Sequence, residues 1–108
     1  MPNYSAILAT DADENIAIDA TARTLTLPAE FSSSGVKTGQ AIVQARTAAV
    51  LYTFNGTAPT SGDESTGVKI NVGDVYTFEG LSILRNLKFI RATGSDGAIF
   101  VQYLKRID

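Results

Sequence analysis

Asp11, Asp13 and Asn15 stand at alternate positions in the stretch DADEN, residues 11–15, and so begin the oxygen-ligand spacing of a calcium loop. The spacing then fails. The sixth position, where such a loop turns on glycine, is Ile16, and the twelfth, where a bidentate glutamate closes the site, is Ala22. Without a metal the same residues read as a solvated acidic turn in front of a strand. Asp63 and Glu64 form an adjacent acid pair. Paired carboxylates hydrolyse a glycosidic bond when they flank it in a rigid cleft, and neighbours on a polar loop do not provide that separation. Ser32, Ser33 and Ser34 have no histidine to activate a hydroxyl, and a lysine base would need burial that the surrounding SSSGVKTG does not suggest. Asn55-Gly56-Thr57 matches the glycosylation acceptor pattern, a chemistry that needs a secretory route. Tyr4, Tyr52, Tyr76 and Tyr103, with the phenylalanines, are able to stack on sugars or bases. Most of them fall in alternating runs, where sheet packing is the plainer role, and tryptophan is absent.

The composition removes further chemistry. The 108 residues include no histidine and no cysteine, so the commonest general base, the commonest zinc ligand, thiolate sites and disulfides are all missing. No catalytic residue, metal or cofactor is expected. Nine basic against eleven acidic side chains give a net charge of −2, a poor match to a polyphosphate partner. The start, MPNYSAILAT, has neither a basic segment nor a long apolar run, and nothing later approaches the ~20 apolar residues of a membrane span. The expectation is a soluble protein made in a cytoplasm, with no nucleic-acid or membrane partner. Charge is uneven: residues 1–31 hold five acids and one base, whereas residues 81–108 hold five bases and two acids. Complementary ends of this kind can meet within one fold or between copies.

The elements that must carry these residues read as strands. Threonine, valine and isoleucine alternate in short runs between clusters of Gly, Asn, Asp and Ser, which predicts an all-β domain spanning 1–108, a β-sandwich or jelly-roll-like arrangement of seven to eight short strands. Strands are expected near 16–19, 23–27, 40–45, 48–54, 74–78, 86–92 and 98–104. The first two should flank a turn near Asp19 to Ala22. QAIVQARTAAVLYTF is either one bent strand or two meeting at Arg46 and Thr47, and its end reads as a central strand with Val50, Tyr52 and Phe54 on one face. NGTAPTSGDESTG is a loop by its turn chemistry. TGSDG between LKFIRA and AIFVQYLKR gives the clearest local signal, that of a hairpin. The expected core is Ile42, Val50, Tyr52, Phe54, Val75, Phe89, Ile99 and Val101. Tyr-Thr-Phe occurs twice, at 52–54 and 76–78, with unrelated flanks, so chance recurrence of a strand-forming tripeptide accounts for it.

Four pieces, Leu51 to Pro59, Val72 to Gly80, Leu84 to Ala92 and Ala98 to Arg106, resemble the C-terminal part of small virion structural proteins of tailed bacteriophages. There a YTFxGT-P strand is followed by a loop, a GDxxxhEG strand, an LxxFxxIRA strand and a closing FVxYhKR strand; the loop at 55–71 is longer here. The resemblance implies a cement or decoration protein on the outside of a capsid. Its partner would then be the major capsid protein, its own state a dimer or trimer, and its location the virion surface after synthesis in the host cytoplasm. A tail or connector protein, and a carbohydrate- or receptor-binding module, are the alternatives. On this reading Asn55, Thr57, Pro59, Asp63, Glu64 and Lys69 are the protein-contact residues.

Overall fold

A computed structural model describes residues 7–32 and 35–107; Tyr4, Ser33 and Ser34 lie outside them. Seven strands form two antiparallel sheets. The strands are β1 (Ile7–Ile18), β2 (Thr38–Arg46), β3 (Val50–Thr53), β4 (Val68–Ile70), β5 (Val75–Glu79), β6 (Lys88–Arg91) and β7 (Gly97–Arg106). One sheet has the order β1-β7-β2-β5 and the other β4-β3-β6. The chain is thus an all-β sandwich. Its core is the facing layer of Ile18, Val43, Val50, Tyr52, Ile70, Phe78, Leu87, Phe89, Ile99, Val101 and Tyr103.

The expected strand at 23–27 is not one. It is extended, but its ladder is a single bridge in which Arg23 and Phe89 exchange both backbone bonds at 2.8 Å. With this segment set beside β6 at that bridge, the second sheet reads segment-β6-β3-β4. Against β1-β7-β2-β5 that is the alternation of a jelly roll. The run does not flank its turn as a hairpin with β1 either, since β1 spends its ladder on β7. Pro28 removes a backbone donor where a longer ladder would continue.

The segment DADEN is the middle of β1, not a turn. Between Ala9 and Asp13 the register against β7 shifts, a bulge that Thr10 spans by donating its hydroxyl to the Tyr103 carbonyl at 2.9 Å. β1 is an edge strand, so Asp13 and Asn15 remain exposed on it at little cost.

The strongest hairpin signal fails as well. β6 pairs with β3, and β7 pairs with β1 and β2, so Thr93–Asp96 crosses between the sheets. Leu87 and Phe89 on one side, and Ile99, Val101 and Tyr103 on the other, bury against each other across the sandwich. Alternation and a glycine-bearing loop are common to a hairpin and to such an arch. The Arg91 guanidinium ties the arch by donating to the Gly94 carbonyl (3.3 Å) and the Asp96 carboxylate (2.8 Å). A β-carbon at Gly97 would stand 2.8 Å from the Ala48 carbonyl oxygen, so glycine is needed where β7 begins. QAIVQARTAAVLYTF is two strands, joined at Thr47 with φ of 74°, and β3 is central as expected.

Three expected core residues are not core. Ala41, Val43 and Ala45 form the inner face of β2, and Ala41 lies between Tyr103 and Phe78, whose rings fill that layer; Ile42 therefore faces outward. Tyr76 and Phe78 set the inner phase of β5, which leaves Val75 54% exposed. Phe54 lies one residue beyond β3 and is 50% exposed. A helix, α1 (Leu81–Asn86), stands where the sequence reads as connection; it buries Leu84 and takes Asn86, the first residue of the strand expected at 86–92. Six residues are too few to display a 3.6-residue period.

Candidate functional site

The expected contact residues lie on the connection between β3 and β4. Asn55 begins it with a side-chain turn, its Oδ1 accepting from the Thr57 amide at 3.0 Å, while the Thr53 hydroxyl donates to the Thr57 carbonyl. Further on, Asp63 caps the short 3-10 turn Glu64–Thr66: its Oδ1 accepts from the Ser65 amide (3.1 Å) and hydroxyl (2.6 Å). These two bonds, the hydroxyl first, hold the Asp63 carboxyl below the usual carboxylate range. Thr66 donates its hydroxyl to the Asp63 carbonyl at 2.6 Å and accepts from the Thr60 amide at 2.8 Å. The loop is anchored to β6 by the Gly62 amide on the Arg91 carbonyl (3.2 Å) and by Arg91 Nε on the Ser61 hydroxyl (3.0 Å). The segment that reads in sequence as a polar loop is tied in one shape by its own short polar side chains.

Asn55, Thr57, Asp63 and Glu64 are exposed, and Lys69 is half-buried with its ammonium 3.1 Å from Glu64. Pro59 is buried instead, under Gly67; a β-carbon on Gly67 would stand 3.1 Å from that of Pro59 and 2.9 Å from the Tyr52 carbonyl oxygen. Pro59 therefore shapes the loop from within and offers no surface to a partner.

Of the six expected contact residues, Asn55 alone also borders a cleft that the sequence does not display. Tyr52, Thr53, Phe54, Asn55, Gly67 and Val68 line an apolar cleft of about 190 Å³, with Phe54 and Val68 half-exposed on its rim. Phe54 stacks on Tyr52 at 6.4 Å and 28°, and behind them the rings of Tyr76 (5.8 Å), Phe78 (4.9 Å) and Phe89 (6.2 Å) close on Tyr52. Burial pushes the Tyr52 phenol above its ordinary value, so it stays neutral. The available signal was position: Phe54 precedes Asn-Gly, a turn pair that ends the ladder before the phenylalanine can be covered.

Asp63 and Glu64 are engaged separately, the one by Ser65 and the other by Lys69, and no cluster of three or more His, Cys, Asp or Glu able to hold a metal ion exists among the described residues. The uneven charge is partly resolved inside the chain, where Lys105 Nζ of the basic end lies 2.7 Å from Glu30 of the acidic end. The arrangement is an apolar cleft edged by half-exposed Phe54 and Val68 beside a hydrogen-bonded polar loop. Comparison with protein-family models, with curated proteins and with solved structures finds no match to this chain.

Proposed function

We propose that the chain is a non-catalytic structural module that attaches to a larger protein assembly through its β3–β4 end. The carrying observation is the half-exposed Phe54 and Val68 around an apolar cleft, mounted on a loop already fixed by hydrogen bonds. An aromatic anchor beside a pocket is the usual centre of a protein contact. A loop ordered before binding reduces the entropy lost on association. The finer identity follows the resemblance of residues 51–106: a decoration or cement protein, a dimer or trimer, seated on the outside of a tailed-phage capsid against the major capsid protein. Repetition at symmetric positions turns a contact of ~1,600 Å² into shell stability.

The test adds purified protein to capsids lacking it, counts bound copies and then heats both preparations. Saturable binding in large copy number, with a raised disruption temperature that Phe54→Glu abolishes, is the expected result. Binding at a single vertex transfers the protein to the tail or connector. Glycan affinity without capsid binding makes it a receptor-binding module, a reading that wants a platform of several exposed rings; Phe54 alone among the described aromatic residues is exposed.

A further inference from the structure

The opposite side of the molecule carries a second surface, independent of the Phe54 cleft. β1 runs twelve residues as the edge of its sheet, paired on one side only with β7. Among the described residues no backbone bond from β1 leads anywhere else. After the turn at Asp19 the chain returns past β1 over residues 22–27, bridged to β6 at Arg23, and the two arms make no ladder with each other. They are joined by one side chain: Glu14 Oε2 accepts from the Thr26 amide at 3.1 Å and from the buried Tyr103 hydroxyl at 2.6 Å. The gap beside this strut is an open groove of about 590 Å³ lined by Glu14, Asn15, Ile16, Ala17 and, across it, Ala22 to Thr24 and Thr26.

A long edge strand with unused backbone donors and acceptors is the feature that natural sheets avoid exposing. The other edges here are short or covered: β4 has three residues and β5 five, and β6 is bonded at Phe89 to Arg23 and at Arg91 to the Asp19 carbonyl. We infer that β1 and its groove receive an extended strand from a partner protein, which adds to the sheet by backbone pairing.

The chemistry of that strand follows from what it must meet. Side chains of an added strand alternate between two faces. One row would stand beside exposed Asp13 and Asn15, and the nearby base Arg23 is already engaged by Asp19 at 2.7 Å. The other row would lie over Ile16 and Ala22 in the groove. The fitting occupant alternates lysine or arginine with a small β-branched residue. A second copy of β1 does not fit this pattern, because a pair of acidic strands would lie side by side.

The probe is a labelled peptide alternating lysine and valine over about eight residues, roughly 26 Å at 3.3 Å per residue. Its binding to the intact protein is followed by fluorescence anisotropy. Two controls carry glutamate in place of lysine, or methyl groups on alternate backbone nitrogens. The lysine peptide is expected to bind about tenfold or more tightly than either, since one control removes charge pairing and the other backbone pairing. Asp13→Lys should reverse the preference between lysine and glutamate, and Ala22→Trp should fill the groove and weaken binding about tenfold. Unchanged melting of both variants separates these effects from misfolding. Equal binding of the N-methylated peptide, no binding of the lysine peptide at millimolar concentration, or self-association in sedimentation that displaces the peptide each overturns the inference.

Discussion

The same tripeptide, Tyr-Thr-Phe, occupies two places that face each other across the sandwich. In the second copy all three residues lie within β5, and Phe78 is buried at 8% exposure opposite Ala41. In the first, β3 ends at Thr53, so Tyr52 is buried at 7% while Phe54 stands 50% exposed. Residue type and alternation are identical in the two copies. What differs is where the ladder stops relative to the phenylalanine. One ring therefore stabilises the core and the other is left half in solvent, and their meeting at Tyr52 joins the candidate site directly to the core.

The largest expected effect tests that division. Phe78→Ala should cost about 3–5 kcal/mol of unfolding free energy, the range for deleting a buried phenylalanine, and Phe54→Ala less than about 1 kcal/mol. Urea denaturation of both variants decides it, and equal losses would show that Phe54 is core after all. Phe89→Ala should fall with Phe78, since Phe89 is fully buried beneath Tyr52.

A smaller effect is expected behind the first copy alone. Gly67 has φ of −165°, an extended conformation any residue adopts, so alanine there meets a steric obstacle and no backbone strain. Its β-carbon would lie 2.9 Å from the Tyr52 carbonyl oxygen. Gly67→Ala should cost about 1–3 kcal/mol by overpacking, and should also weaken attachment, because it moves the β4 side of the cleft. Loss of stability with full attachment would separate the cleft from the contact.

These contrasts explain what could be read beforehand. Alternation marked the strands of the core, and β2, β3, β5, β6 and β7 stand close to where it placed them. It could not say which of two apolar phases faces inward: the small Ala41 is the inner residue because Tyr103 and Phe78 lie on either side of it, and both come from distant parts of the chain. It could not choose between a hairpin and an arch at TGSDG, which impose the same local pattern. Charge hid half of β1, because a strand at a sheet edge keeps its acids in water. The loop at 55–67 was legible as a loop, and residues such as Asn55 and Asp63 were singled out, but the cleft depends on Gly67 and Val68 returning beside Phe54.

The smallest expected effect is one of pH, and it concerns the first copy's surroundings. Asp63 donates nothing and accepts from the Ser65 hydroxyl and amide, which favours its ionised form and lowers its pKa in the folded protein. A carboxyl whose folded value is depressed stabilises the fold above its unfolded pKa of ~3.9, and that contribution is lost as pH falls through the folded value. Asp19, held low by the Arg23 guanidinium and then by the Thr21 amide, follows the same sign at the far end of β1. Between pH 5 and the acid limit, amide protection across Thr60–Thr66 should therefore decrease before protection in β5, where Phe78 is fixed by apolar burial that does not titrate. Asp63→Asn keeps an acceptor oxygen without a proton to gain, and should make the loop's protection independent of pH over that interval. Hydrogen exchange at several acidic pH values reads both segments in one sample. Simultaneous loss in the loop and in β5 would mean that the two copies share one cooperative unit, and that the contact surface has no stability of its own to lose.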